Sequence, residues 1–192
     1  MKLGDYQGLA MRTSPEGHDR ILNGCMGLVG ECGEIVDLVK KWKFQSGDHA
    51  TLPKDKLIEE CGDVLWYCAE LATGIQLDIC EAYSKVSKYY SEMTPINREL
   101  PLEILSLYLA EMVIRVCVPF DYVRFTDGKT ELSEELLAGE ASEIVGIMCT
   151  IRDILEIFCG SSLEEAMERN IEKLMKRYPD GFDPERSLHR DI

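Results

Sequence analysis

The sequence predicts an all-α protein, and three observations carry that prediction. Apolar residues recur at helical spacing in long windows: Leu28, Cys32, Ile35, Val39 and Trp42 in one, Leu57, Cys61, Val64, Cys68 and Leu71 in another. The windows are punctuated as helices are, with Asp or Ser at their starts and Gly or Pro past their ends. No stretch holds a strand's two-residue alternation. The one β-leaning piece, VCVPFDYVRF at 116–125, reads as a helix end followed by an extended loop.

The elements follow in order. Tyr6, Leu9 and Ala10 mark a short first helix, and Ser14-Pro15-Glu16-Gly17 a loop. A long helix is expected from about Asp19 to Phe44, then a polar connection at 45–52. Pro53 suits the first turn of the next helix, which runs to about Thr73 and stops near Gly74. Asp78 caps a third, broken by Thr94-Pro95. Further helices are expected over about 100–118 and 133–158, separated by Pro119 and Asp127-Gly128. Ser162, with Glu165 three residues on, forms a capping box for the last helix, which Pro179 ends.

Two acidic pairs sit inside the first two long helices. Glu31 and Glu34 (GECGE) are three apart, and so are Glu60 and Asp63 (EECGD). Residues three apart share a helix face. Each pair lies roughly 40° from its own apolar stripe, so packing along the stripes brings four carboxylates together. Either pair alone also describes an ordinary solvated acidic face. Together, framed by Gly30, Cys32, Gly33, Cys61 and Gly62, they point to a metal site, because small residues inside helices make sense where helices approach closely. Like charges at short range need neutralising, and oxygen-only ligands suit a hard cation, Mg²⁺ or Mn²⁺.

GLVGECGEIVDLVKKW followed by KLIEECGDVLWYCAELA resembles the MazG-like nucleotide pyrophosphohydrolases, an all-α superfamily with an ExxE…ExxD signature. YQGLAMRT (6–13) and NIEKLMKRYPDGF (170–182) resemble the same family, so the likeness covers 5–76 and 160–190. It implies a helical bundle in which Glu31, Glu34, Glu60 and Asp63 hold Mg²⁺. It further implies cleavage of an NTP between its α and β phosphates, giving the monophosphate and pyrophosphate. Glu34 is the expected proton acceptor. Lys173 and Arg177 match the family's K-F/L-x-x-R-F/Y pattern and are expected on phosphate, with Lys41 as a further cation. Lys40, Lys41 and Lys43 also suit a plain helix C-terminus. Trp42 and Tyr67 are expected to stack on the base. Trp66 points about 100° away from Tyr67 and is assigned to the core, the two being unable to face the site together.

An offset of 80 residues aligns Glu31 with Glu111, Glu60 with Glu140 and Asp63 with Glu143, while Glu34 meets Ile114. The reading is an internally duplicated, pseudo-dimeric bundle. Residues 1–94 form a first lobe with the intact acidic set, and 95–192 a degenerate second lobe carrying the KLMKRYPDGF tail, the two sharing one core. In this the chain resembles the dimeric-dUTPase branch, in which one repeat is catalytic.

Composition bounds the rest. The formal charge of −14 argues against a nucleic-acid partner. Eight cysteines without a CxxC or Cys/His spacing, no signal peptide and no long apolar run predict a reduced, cytoplasmic protein off the membrane. His18, His49 and His189 are too scattered for a zinc or nucleophilic site or for a di-iron bundle. The expectation is a Mg²⁺-dependent (d)NTP pyrophosphohydrolase that forms homodimers and clears surplus or non-standard nucleotides. The rival readings are an inactive nucleotide-, metal- or partner-binding module, a metal-dependent but non-nucleotide pyrophosphatase or phosphoribosyl-ATP-type hydrolase, and an acidic scaffold that binds nothing.

Overall fold

Helix caps set the element boundaries. In the structure, a computed structural model describing residues 1–47, 50–93, 99–126 and 133–188, the helices are α1 (Leu3–Met11), α2 (Arg20–Phe44), α3 (Lys54–Gly74), α4 (Ile79–Met93), α5 (Leu102–Thr126), α6 (Glu134–Ile154), α7 (Leu163–Arg177) and α8 (Pro184–Leu188). A π-helical turn, Leu155–Cys159, extends α6 and closes on Gly160 in the left-handed conformation. Among the described residues there is no strand. The Thr94-Pro95 break, the Asp127-Gly128 turn, His49 and His189 lie outside the described residues.

The Asp19 carboxylate accepts from the Leu22 N–H at 3.1 Å, Asp78 from Glu81 at 2.8 Å, Ser133 from Leu136 at 3.1 Å and Ser162 from Glu165 at 3.2 Å. Each satisfies a donor that the helix itself leaves unpaired. The capping box at Ser162 closes on one side only, since Glu165 accepts from the Ser161 hydroxyl at 2.9 Å.

The extended loop expected at 116–125 is a correction: α5 runs through Pro119 to Thr126. Proline removes one intrahelical hydrogen bond. Val116, Cys117 and Phe120, all buried around it, supply packing that holds the helix across the defect.

α2 and α3 form an antiparallel pair with close backbone approach. A Cβ at Gly24 would lie 2.9 Å from the Leu71 Cβ, and one at Gly74 3.0 Å from Ile21. α5 lies along α2, α6 against α5 and α4, α7 against α3, and α1 across α3. One continuous core takes residues from both halves of the chain, among them Tyr6, Leu28, Leu65, Leu105, Ile144 and Met167. The small-residue expectation holds for Gly62, where a Cβ would meet the Ala166 carbonyl oxygen and the Asn170 side chain at 3.0 Å. It fails for Gly30 and Gly33, which have nothing within 4 Å, because the α2–α3 contact runs through Gly24, Leu28 and Cys32 and leaves them on the open side.

Candidate active site

The α2–α3 register builds the site. Gly24 faces Leu71 and Gly27 faces Tyr67; continued along both helices, that pairing sets Glu31 level with Asp63 and Glu34 level with Glu60. Glu31, Glu60 and Asp63 each offer a carboxylate oxygen, and these oxygens all lie within 4.8 Å of one another. Glu60 is buried, whereas Glu31 and Asp63 are half-buried. Glu34 is exposed and outside this trio, on the wall of the same cavity. Three of the four expected acids are thus brought together and the fourth stands beside them.

Cations from α7 and α3 face the acids. Lys173 Nζ reaches both oxygens of Asp63 at 2.6 Å and Glu59 at 3.5 Å. Lys56 reaches Glu60 at 2.8 Å. Asn170, buried on α7, donates from Nδ2 to Asp63 Oδ1 at 2.7 Å, while its own Oδ1 is buried without a partner. The Tyr6 hydroxyl is likewise buried and unpartnered. Its pKa is raised well above the usual phenol range, first by burial and then by the charges of Cys68 and Asp63. Glu31 is pushed up to about 7, chiefly by burial and then by Asp63 and Glu60.

The trio and its cations border a cavity of about 530 Å³ that also takes in Tyr67, Arg177 and Asn23. Ligand pockets commonly measure about 300–1,000 Å³. The Tyr67 ring lies against α2 over Gly27, where any Cβ would overlap it. Trp66 is buried as expected, its indole N–H donating to Ala10 O and Thr13 Oγ1 at 3.1 Å. The expectation that Trp66 and Tyr67 exclude each other from the site is corrected. Both border the cavity, their rings meeting edge to face at 4.9 Å.

Lys41 and Trp42 occupy an adjoining hollow that shares Glu34, Lys56 and Glu60 with the cavity. Lys41 pairs with Asp37 at 2.5 Å, and the Trp42 indole donates to Ala50 O at 3.0 Å. Sequence reasoning passed over Lys56 and Asn170. The first was legible as a lysine four residues before Glu60 on one helix face. The second lies three residues before Lys173, so it shares that residue's face of α7.

Three oxygen donors crowded together, one with its proton affinity raised by burial and then by the other two, form a donor set that fits a hard divalent cation. The fold and site thus define a helical bundle in which a carboxylate cluster, lysines bonded to it and an arginine line one ligand-sized cavity. Residues 22–95 match the family model of the MazG nucleotide pyrophosphohydrolase domain. The chain is 49% identical over 55 residues, 28% of its length, to the Gene 37 protein of Mycobacterium phage L5. The match spans about half, 46%, of that relative. No solved structure matches the chain.

Proposed function

We propose that the protein is a Mg²⁺-dependent nucleoside triphosphate pyrophosphohydrolase, cleaving a (d)NTP between the α and β phosphates to the monophosphate and pyrophosphate. The observation that carries this reading is the Glu31–Glu60–Asp63 trio lining one cavity together with Lys173, which is bonded to Asp63, and Arg177. The family match over 22–95 supports it. Glu31, Glu60 and Asp63 would hold the cation, which supplies Lewis-acid chemistry at phosphate oxygens and eases deprotonation of water. The remaining work belongs to the chain. Lys173 and Arg177 bind phosphate oxygens, Glu34 takes the proton from the attacking water, and Tyr67 offers an aromatic surface to the base.

The wider reading is a two-lobed, internally duplicated chain, acting in the cytoplasm as a homodimer. Its support is the crossed packing of α7 on α3 and of α4 on α6, the arrangement that two exchanged lobes make.

Incubation with standard and modified NTPs and dNTPs, with Mg²⁺ or EDTA, tests the reaction. Metal-dependent monophosphate and pyrophosphate are expected; diphosphate and orthophosphate, or no product, would reject it. One observation favours a second reading, a non-catalytic nucleotide-binding module. Lys173 and Lys56 already neutralise Asp63 and Glu60. Under that reading nucleotide raises the melting temperature and nothing is turned over.

A further inference from the structure

The phosphate chemistry uses one end of the cavity. Beyond Tyr67 the cavity continues to Asn23, Thr13, Pro15 and Phe182. On α2, Asn23, Gly27, Glu31 and Glu34 fall within a sector of roughly 80° at 100° per residue. Asn23 precedes Glu31 by two turns and more, about 12 Å along the axis at 1.5 Å per residue. That separation matches the reach of a nucleotide from its α phosphate to the outer edge of its base. Gly27, between them, leaves the room in which the Tyr67 ring rests. The cavity therefore presents acids, then an aromatic ring, then a side-chain amide.

Thr13 and Pro15 border the cavity from the loop that precedes α2, and a buried charge holds that loop. Glu70 on α3 is fully buried. Its Oε1 lies 2.5 Å from His18 Nε2 and its Oε2 3.4 Å from Arg20 Nη1. Arg20 Nη1 also donates to Ser14 Oγ at 2.9 Å. The partners of this carboxylate thus come from the segment that leads into α2. A buried carboxylate without its partners is strongly destabilising, so the cluster fixes the loop that carries Thr13 and Pro15 to the cavity wall.

We propose that Asn23 is a specificity-determining residue whose amide reads the base edge of the bound nucleotide, and that the Glu70–His18–Arg20 cluster is the latch positioning the loop of Thr13 and Pro15 at the same cavity. The inference rests on the nucleotide reading above. An amide presents a donor beside an acceptor, so it selects a base edge carrying the complementary pair. A site built to hydrogen-bond a group rejects analogues lacking it more sharply than an apolar site does.

Calorimetric titration with dAMP, dGMP, dCMP, dTMP and dUMP, each with Mg²⁺, tests this without requiring turnover. The wild type is expected to rank the five, and Asn23→Ala to shrink the spread by roughly 10–100-fold. Asn23→Asp, which keeps the shape but loses the donor, should shift preference towards bases offering donors. An unchanged ranking in both variants, or equal wild-type affinity for all five, overturns the role of Asn23. Glu70→Gln should weaken all five monophosphates alike and leave pyrophosphate binding as it was; His18→Gln gives the same readout if Glu70→Gln does not fold. Unchanged affinities there overturn the latch. A protein that cleaves no NTP yet ranks monophosphates through Asn23 loses the hydrolase reading and keeps this one.

Discussion

Two acidic clusters occupy corresponding positions along the chain, and they are neutralised in different ways. In the α2–α3 pair, Glu31, Glu60 and Asp63 converge, and the cations that meet them lie on the cavity wall. In the α5–α6 pair, Glu111, Glu140 and Glu143 stand 80 residues further on, and an arginine is built into the helix that carries Glu111. Arg115 lies 3.6 Å from Glu111 and 3.3 Å from Glu143. Glu111 is mostly exposed, and Glu140 Oε2 is buried without a partner. Ile114 stands where the first pair has Glu34. Among the described residues, only the first cluster gathers three carboxylate oxygens close enough to share an ion. Lys56 and Arg115 each pair with an acid of their own helix, whereas Lys173 comes to Asp63 from α7 and stands on the cavity wall, where it can exchange that partner for a ligand. The same acidic spacing therefore gathers three carboxylates around one cavity in the first place and leaves them dispersed in the second.

The largest test of that difference is paired substitution. Asp63→Asn or Glu60→Gln should lower pyrophosphate release by at least about 10³-fold, since each removes a donor from the cation site. Glu140→Gln should leave release within roughly threefold, the range of indirect effects on an unaltered site. Equal losses at Asp63 and Glu140 would mean two working sites and would break the comparison. Next in size, Mn²⁺ titration should fit one class of site per chain. Glu31→Gln should weaken it and Glu140→Gln should not; two equivalent sites in the wild type would again equate the clusters. Lys173→Met comes third, with an expected rise of about 10-fold or more in KM for the nucleotide, the order expected for one charge-assisted hydrogen bond. Arg115→Met should leave KM as it was.

Much of this is legible in the sequence, and the residues say why. Helix ends at Asp19, Asp78, Ser133 and Ser162 are local capping chemistry, so the sequence states them directly. The acidic faces follow from spacing, and spacing on one helix is also local. What the spacing could not give is which residues meet across helices. The Glu31–Glu60–Asp63 trio depends on the glycine-set register of α2 on α3. Asn170 and Lys173 arrive from more than a hundred residues away. Pro119 was misread for the same reason: its local penalty is real, and tertiary burial on both sides outweighs it. Gly30 and Gly33 show the converse, small residues in a helix that mark no contact with a neighbour.

The smallest expected effect separates the clusters by pH and metal together. Glu31 and Glu140 are both raised to about 7, in each case first by burial and then by neighbouring carboxylates. A carboxyl whose folded-state pKa exceeds its unfolded value binds its proton more tightly in the native state, so stability falls as pH rises between the two values. With EDTA, the protein should therefore melt lower at pH 8 than at pH 5. The lowered carboxyls, Asp37, Glu103 and Glu165, act in the opposite sense, and they lose their contribution only as pH falls below the ordinary carboxylate range. The interval from pH 5 to pH 8 thus lies above the range in which those three act and spans the rise of Glu31 and Glu140 to about 7. Mg²⁺ at pH 8 should recover the part due to Glu31, because a bound cation replaces the proton as the neutralising charge. It should leave the part due to Glu140, which only Glu140→Gln removes. Full recovery by Mg²⁺ alone would place a cation at both clusters, whereas no recovery would deny one to either. Partial recovery that becomes complete in Glu140→Gln is the result that keeps the two clusters distinct.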